Sequence, residues 1–205
     1  KGINDDLKNK DIPYKKLKTK WFYFSAMMEE SFRTLEKLAK FAQQNRIKIA
    51  FNPSTYLAEK GFNHLKQILG RTELLVLNKE EACLLAGKDS IESILLKLRS
   101  FGPKIVAVTD GKNRLYVAGE KQIYVCMPPP VKIVDATGAG DAFAASFLSG
   151  LMRKNDIEFA IGLGITNAQS VVAHYGAKNI LLTYKETIKA MGKLKIKVHK
   201  KKIEK

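Results

Sequence analysis

The sequence predicts an α/β fold, a mainly parallel sheet covered on both faces by helices. Two observations carry this. Short apolar runs alternate with segments of helical periodicity from Trp21 to Val108, the rhythm of strand-crossover-strand units. Further on, a glycine-rich turn between Asp135 and Asp141 opens an apolar helical stretch, a junction typical of sheets that bind ligands at helix starts. A hydrophobic content of 45% with 27% charged residues suits one packed core and excludes global disorder.

In chain order, Trp21-Phe22-Tyr23-Phe24 is a short apolar and aromatic run, a buried strand. Ser31 to Gln44 places Phe32, Leu35, Leu38, Ala39 and Ala42 at helical spacing. Ile47 to Phe51 is the next strand, ended by the turn signal Asn52-Pro53-Ser54. A short helix is expected from Gly61 to Gly70, and a third strand at Leu74 to Leu77. Asn78 then begins another helix, Ser90 to Ser100 a further one, and Ile105 to Val108 the fourth strand. After Thr109 the rhythm changes. Arg114 to Ala118 and Gln122 to Cys126 form a hairpin around Gly119-Glu120-Lys121. A proline break at Pro128, Pro129 and Pro130 precedes a short apolar strand at Ile133-Val134, the glycine turn, and a helix from Ala142 to Leu151. Asp156 caps a helix reaching about Tyr175, with Gly176 as its C-cap. Phe143, Phe147 and Tyr175 read as core, and His174 as a structural residue near a helix end. Leu181-Leu182-Thr183 links into a last helix, Lys185 to Met191. Leu194, Ile196 and Val198 alternate with Lys195, Lys197 and His199, an edge strand with a solvated face. No internal repeat or linker interrupts the chain. A single domain is expected over residues 1–205, with 1–192 as core and 193–205 as a basic edge strand and tail.

The net charge of +16 is dispersed, with enrichment at Lys8 to Lys20 and Lys193 to Lys205. No aromatic residues interleave with the C-terminal lysines, so there is no platform for stacking bases, and nucleic acid is not the expected partner. No apolar run reaches the roughly 18 residues of a membrane span, and no signal-peptide pattern is present. Cys83 and Cys126 stand apart without metal-ligand spacing, which fits reduced thiols and a cytoplasmic location.

The turn Asp135-Ala136-Thr137-Gly138-Ala139-Gly140-Asp141 carries the chemistry. Amides at a helix start point outward and the helix dipole favours an anion there. Asp141 puts a carboxylate inside that anion site. Two negatives together suit a base that takes a proton from a hydroxyl about to attack a phosphate. A first-turn acid that merely complements the dipole is the structural alternative. Spacing excludes a dinucleotide-binding fingerprint, because Phe143 occupies the third small position and no acidic partner follows about 20 residues on. A GxxxxGK[ST] loop is absent.

Asp135-Ala136-Thr137-Gly138-Ala139-Gly140-Asp141-Ala142-Phe143 resembles the C-terminal signature of the ribokinase-like (PfkB) family of carbohydrate and nucleoside kinases. The resemblance implies a three-layer α/β/α fold and ATP-dependent transfer of the γ-phosphoryl group to an alcohol of a sugar or nucleoside. Asp141 would be the base and the amides of Gly138, Ala139, Gly140 and Asp141 the anion hole. Asn78 and Glu81 match the family's Asn-x-x-Glu of the magnesium–phosphate region, although Asn at a helix start with Glu three residues on is also an ordinary capping box. Thr109 and Gly111 match the nucleotide loop, where Arg114 replaces a later glycine and Lys112 or Arg114 could supply positive charge. Asp135 and Thr137, with Gly176-Ala177, resemble the loops that hold a monovalent cation such as K+. Asn167-Ala168-Gln169 lies on the helix that passes the adenine in relatives.

The family's N-terminal Gly-Gly signature, first strands and small β lid have no counterpart here; only Gly2-Ile3-Asn4-Asp5 resembles the segment after the lid. A fragment with its acceptor pocket mostly missing is therefore expected, prone to aggregate through an exposed sheet edge, with its activity alone left open. The expected partner is a small-molecule sugar or nucleoside, with homo-oligomerisation open. The rival expectation is a non-catalytic nucleotide-binding fragment or regulatory module.

Overall fold

A computed structural model describes residues 5–203; Gly2, Ile3 and Asn4 of the expected post-lid segment lie outside them. The chain divides into two compact units, Lys1–Val108 and Thr109–Lys205.

In the first unit, β1 (Trp21–Phe24), β2 (Lys48–Phe51), β3 (Leu74–Asn78) and β4 (Ile105–Thr109) lie side by side in chain order. β1–β2 and β2–β3 pair in parallel, with Phe22 opposite Ile49 and Ala50 opposite Leu74. Parallel neighbours require crossovers. These are α1 (Glu29–Gln44), α2 (Ser54–Glu59) with α3 (Gly61–Leu69), and α4 (Lys79–Ala86) with α5 (Ile91–Ser100). Leu74 to Leu77 are all buried, as expected of a strand covered on both faces. α1 buries Phe32, Leu35, Leu38, Ala39 and Ala42, the residues its periodicity singles out. Glu73 ties the sheet laterally, accepting Lys48 at 3.3 Å and Lys104 at 3.1 Å.

In the second unit, β5 (Leu115–Ala118), β6 (Gln122–Cys126) and β7 (Val198–Lys202) form an antiparallel set. α6 (Ala139–Lys154) and α7 (Ile157–Val172) are followed by α8 (Tyr184–Met191). Glycines let α6 and α7 approach closely. A Cβ on Gly150 would lie 2.6 Å from the Ala160 Cα, and one on Gly164 2.7 Å from the Phe143 ring. Phe143 and Phe147 are buried, their rings 5.5 Å apart.

Four sequence expectations need correction. Ile133-Val134 is not a strand: the Val134 N–H donates to the Val172 carbonyl at the end of α7 (2.8 Å), not to a strand neighbour. α7 stops at Val172 with Ala173 as C-cap, because Gly176, at φ +98°, serves a different contact described below. Tyr175 consequently lies beyond the helix and is 78% exposed. The edge strand is Val198–Lys202, displaced toward the C-terminus from the apolar alternation at Leu194 to Val198. Its register follows pairing with β6, where Cys126 faces Val198 and Tyr124 faces Lys200. Residues 198–202 of the expected tail are thus part of the sheet.

Candidate functional site

The turn before α6 is built by one glycine and one carboxylate. Gly138 is the N-cap at φ +81°, a left-handed conformation that costs other L-residues about 1–2 kcal/mol. Packing adds a second constraint: a Cβ there would lie 1.9 Å from the Ala177 carbonyl oxygen. Asp135 holds the two loops together. Its Oδ1 accepts the Thr137 N–H at 2.9 Å and its Oδ2 the Gly176 N–H at 3.0 Å. The Thr137 hydroxyl, with the Thr137 and Gly176 amides, holds the Asp135 carboxyl below the usual carboxylate range. Asp135, Thr137, Gly176 and Ala177 therefore come together. Three donors leave about one further lone pair on the Asp135 carboxylate, so a hard cation is chemically compatible with this loop pair.

The first intrahelical bond of α6 is Ala142 N–H to Gly138 carbonyl (2.9 Å). The amides of Ala139, Gly140 and Asp141 precede it, and Ala139 makes only a long contact to Ala136 (3.3 Å). A Cβ on Gly140 would meet nothing within 4 Å, so open space lies over this end of the helix. Asp141 is exposed in the first turn.

Open space continues into a cavity of about 500 Å³ within the second unit, the size class of small-molecule sites. Thr109, Gly111 and Lys112 line it from the loop after β4, and Ala139 and Gly140 from the start of α6. Two motifs about thirty residues apart in sequence thus share one pocket. Arg114 is exposed and absent from that lining. The remaining wall is mostly apolar and comes from Met127 to Val131, Ile133 and the α7 residues Ile165, Ala168 and Val172.

Of the trio Asn167-Ala168-Gln169, Ala168 and Gln169 line the cavity. Asn167 is buried and structural, its amide reaching Ser146 Oγ at 2.8 Å and its carbonyl accepting the Leu182 N–H at 3.0 Å. The proline wall is the feature that sequence reasoning missed. Three prolines read as a break, and only their flanking Met127, Val131 and Ile133, apolar yet exposed, hint at a binding face.

Asn78 and Glu81 belong to the first unit. Asn78 caps α4: its Oδ1 accepts the Glu81 N–H at 2.8 Å, and Glu81 Oε2 accepts the Asn78 N–H at 3.0 Å. Glu81 is buried, and its second oxygen accepts a long bond from the Thr55 hydroxyl at 3.4 Å. A carboxylate so constrained suits contact with Mg²⁺ through water, since Mg²⁺ keeps several of its waters. Among the described residues no group of three or more His, Cys, Asp and Glu gathers as a metal cluster. No helix of the described residues is long and apolar enough to cross a membrane.

The chain is 32% identical over 180 residues to the cytidine kinase of Thermococcus kodakarensis, covering 85% of this chain and 63% of that kinase. An Escherichia coli protein solved in complex with ATP and Mg²⁺ superimposes with a TM-score of 0.82 at 19% identity, over 91% of this chain and 63% of that one. The ribokinase of Thermotoga maritima superimposes with a TM-score of 0.78 at 23% identity, over 92% and 62%. The chain therefore spans under two thirds of the length of these relatives. The structural likeness shows the fold, a ribokinase-like α/β architecture with a mixed central sheet and flanking helices. The family model for pfkB family carbohydrate kinases matches residues 14–183, and the chain belongs to that family.

Proposed function

We propose that this chain is the nucleotide-binding and phosphoryl-transfer part of an ATP-dependent kinase that acts on an alcohol group of a sugar or nucleoside. The observation that carries the proposal is one cavity in the second unit, which joins Thr109, Gly111 and Lys112 to the glycine turn at the start of α6. In this reading the apolar wall takes the base, and the polar loop and helix start take the phosphates. The amides of Gly138, Ala139, Gly140 and Asp141 face the charge that develops on the transferring phosphoryl group. Asp141 accepts the proton of the attacking hydroxyl. That oxygen bonds to the γ-phosphorus as the bond to the β–γ bridging oxygen breaks, and ADP leaves with its electron pair. Asn78 and Glu81 would orient the waters around Mg²⁺, which neutralises phosphate charge when bound. Asp135 and Thr137 keep the anion turn in place and border the loop suited to a monovalent cation such as K+. The likeness to a cytidine kinase supports a nucleoside among the acceptor classes. The expected domain organisation is one catalytic region over residues 1–205.

The test is Asp141→Asn, assayed for phosphoryl transfer from ATP to a panel of sugars and nucleosides. Loss of a general base lowers transfer by about 10²–10⁴, while nucleotide affinity should hold. Turnover retained in this variant would remove the base role from Asp141. Nucleotide binding without any turnover in the unaltered protein would favour the regulatory-module reading instead.

A further inference from the structure

The formally charged side chains that line the second unit's cavity are Asp110 and Lys112, both on the loop after β4. Arg114 follows on the same loop, and Lys132 stands between the lining residues Val131 and Ile133, yet the lining includes neither. Lys112 is therefore the cation that reaches the cavity. Backbone geometry holds it there. The Asn113 N–H donates to the Asp110 carbonyl at 2.8 Å, which closes a tight turn with Gly111 and Lys112 at its centre. Gly111 takes a φ of +54°, a conformation that glycine adopts without strain. The exposed Lys112 side chain stands on this turn as a point charge on a flexible stem. Asp110 balances it at long range, so attraction for a phosphate comes from direct contact and not from a general positive field.

We propose that Lys112 is a specificity-determining residue that makes this cavity prefer a nucleotide to a free nucleoside. The inference rests on the assignment of the cavity as the nucleotide site. It answers a need of that reading. An apolar wall that takes the base of the phosphoryl donor takes the base of a nucleoside acceptor equally well, so the acceptor would compete for the donor's place. The donor differs by its phosphates. A contact between an ammonium and a phosphate oxygen is charge-assisted and about twice as strong as a neutral hydrogen bond, and a free nucleoside has no group that earns it. Lys112 thus adds to the preference for an anion set by the amides at the start of α6, from the opposite motif of the same cavity.

The experiment is displacement of N-methylanthraniloyl-ADP from the protein by ADP and by adenosine, with Mg²⁺ present. In Lys112→Met, which keeps the length of the side chain and removes its charge, ADP should bind about tenfold more weakly, the worth of one hydrogen bond to a charged group. Adenosine should stay within about twofold of its parent value. Lys112→Arg should recover most of the ADP affinity, and Arg114→Gln should leave it unchanged. ADP bound equally well by the parent and by Lys112→Met overturns the proposal. An equal loss of ADP and adenosine, or a loss in Arg114→Gln as large as that in Lys112→Met, overturns it as well. A parent protein that binds neither ligand would remove the assignment of the cavity and this role with it, a failure distinct from the loss of selectivity alone.

Discussion

Replacing Gly138 with alanine tests whether the anion turn is locked by backbone packing. The added methyl carbon would start 1.9 Å from the Ala177 oxygen and 2.7 Å from its carbonyl carbon. Neither atom belongs to a side chain that could rotate away, so the loop must retreat by about 1.5 Å to reach an ordinary contact. Overpacking of this kind costs about 1–3 kcal/mol, and the left-handed φ adds about 1–2 kcal/mol. A combined loss near 3 kcal/mol corresponds to a melting temperature lower by about 6–12 °C for a chain of this size. Thermal unfolding followed by far-ultraviolet circular dichroism measures it. Gly140→Ala is the internal control, because its Cβ meets nothing within 4 Å and alanine favours the helix by about 0.5–1 kcal/mol. That variant should melt at or above the parent temperature. A Gly138→Ala protein melting within about 2 °C of the parent, or a Gly140→Ala protein equally destabilised, would refute the reasoning.

Gly150→Ala should destabilise by at least about 1–3 kcal/mol in the same melt, since the new methyl would meet the Ala160 backbone; an unchanged melt would mean that α6 and α7 can separate cheaply. Asn78→Ala should cost about 1 kcal/mol through loss of the α4 cap and raise the Mg²⁺ concentration needed for turnover, whereas an unchanged Mg²⁺ requirement would leave only the capping role. The Thr183 hydroxyl, followed by its amide, holds the Glu186 carboxyl below the usual range. Its contribution is therefore complete above the unfolded value of about 4.3 and is lost as pH falls through the lower folded value. In Thr183→Ala the Glu186 midpoint read by ¹³C NMR should rise toward the ordinary value, and an unmoved midpoint would contradict that cause.

Much of the first unit was legible because its strands are short apolar runs and its helices are amphipathic. The stretch Leu74 to Leu77 can only be a covered strand, and α1 shows its buried face through residue spacing. α2 was not legible: Asn52-Pro53-Ser54 reads as a turn, yet Pro53 stands as the N-cap of a six-residue helix. The end of α7 was misplaced because a glycine after a helix usually marks its C-cap. Here the left-handed Gly176 instead turns its N–H to Asp135, forty-one residues away in sequence. Local pattern cannot show such a contact. The same applies to β7, whose register depends on β6 and not on its own alternation. At the site, the glycine turn and Thr109–Gly111 were identifiable as motifs. Their meeting in one cavity, and the proline wall that completes it, arise from tertiary packing.

The glycine contacts at Gly138 and Gly164 differ in how the protein could adapt to losing them. Gly164 faces the Phe143 ring, so a methyl there could be accommodated by a smaller partner; Gly164→Ala combined with Phe143→Leu should recover part of the loss. Gly138 faces a peptide carbonyl, and every amino acid at position 177 presents the same carbonyl. No side-chain change at Ala177 can make room. The two positions therefore predict opposite epistasis, with compensatory pairs reachable along the α6–α7 crossing and none at the turn.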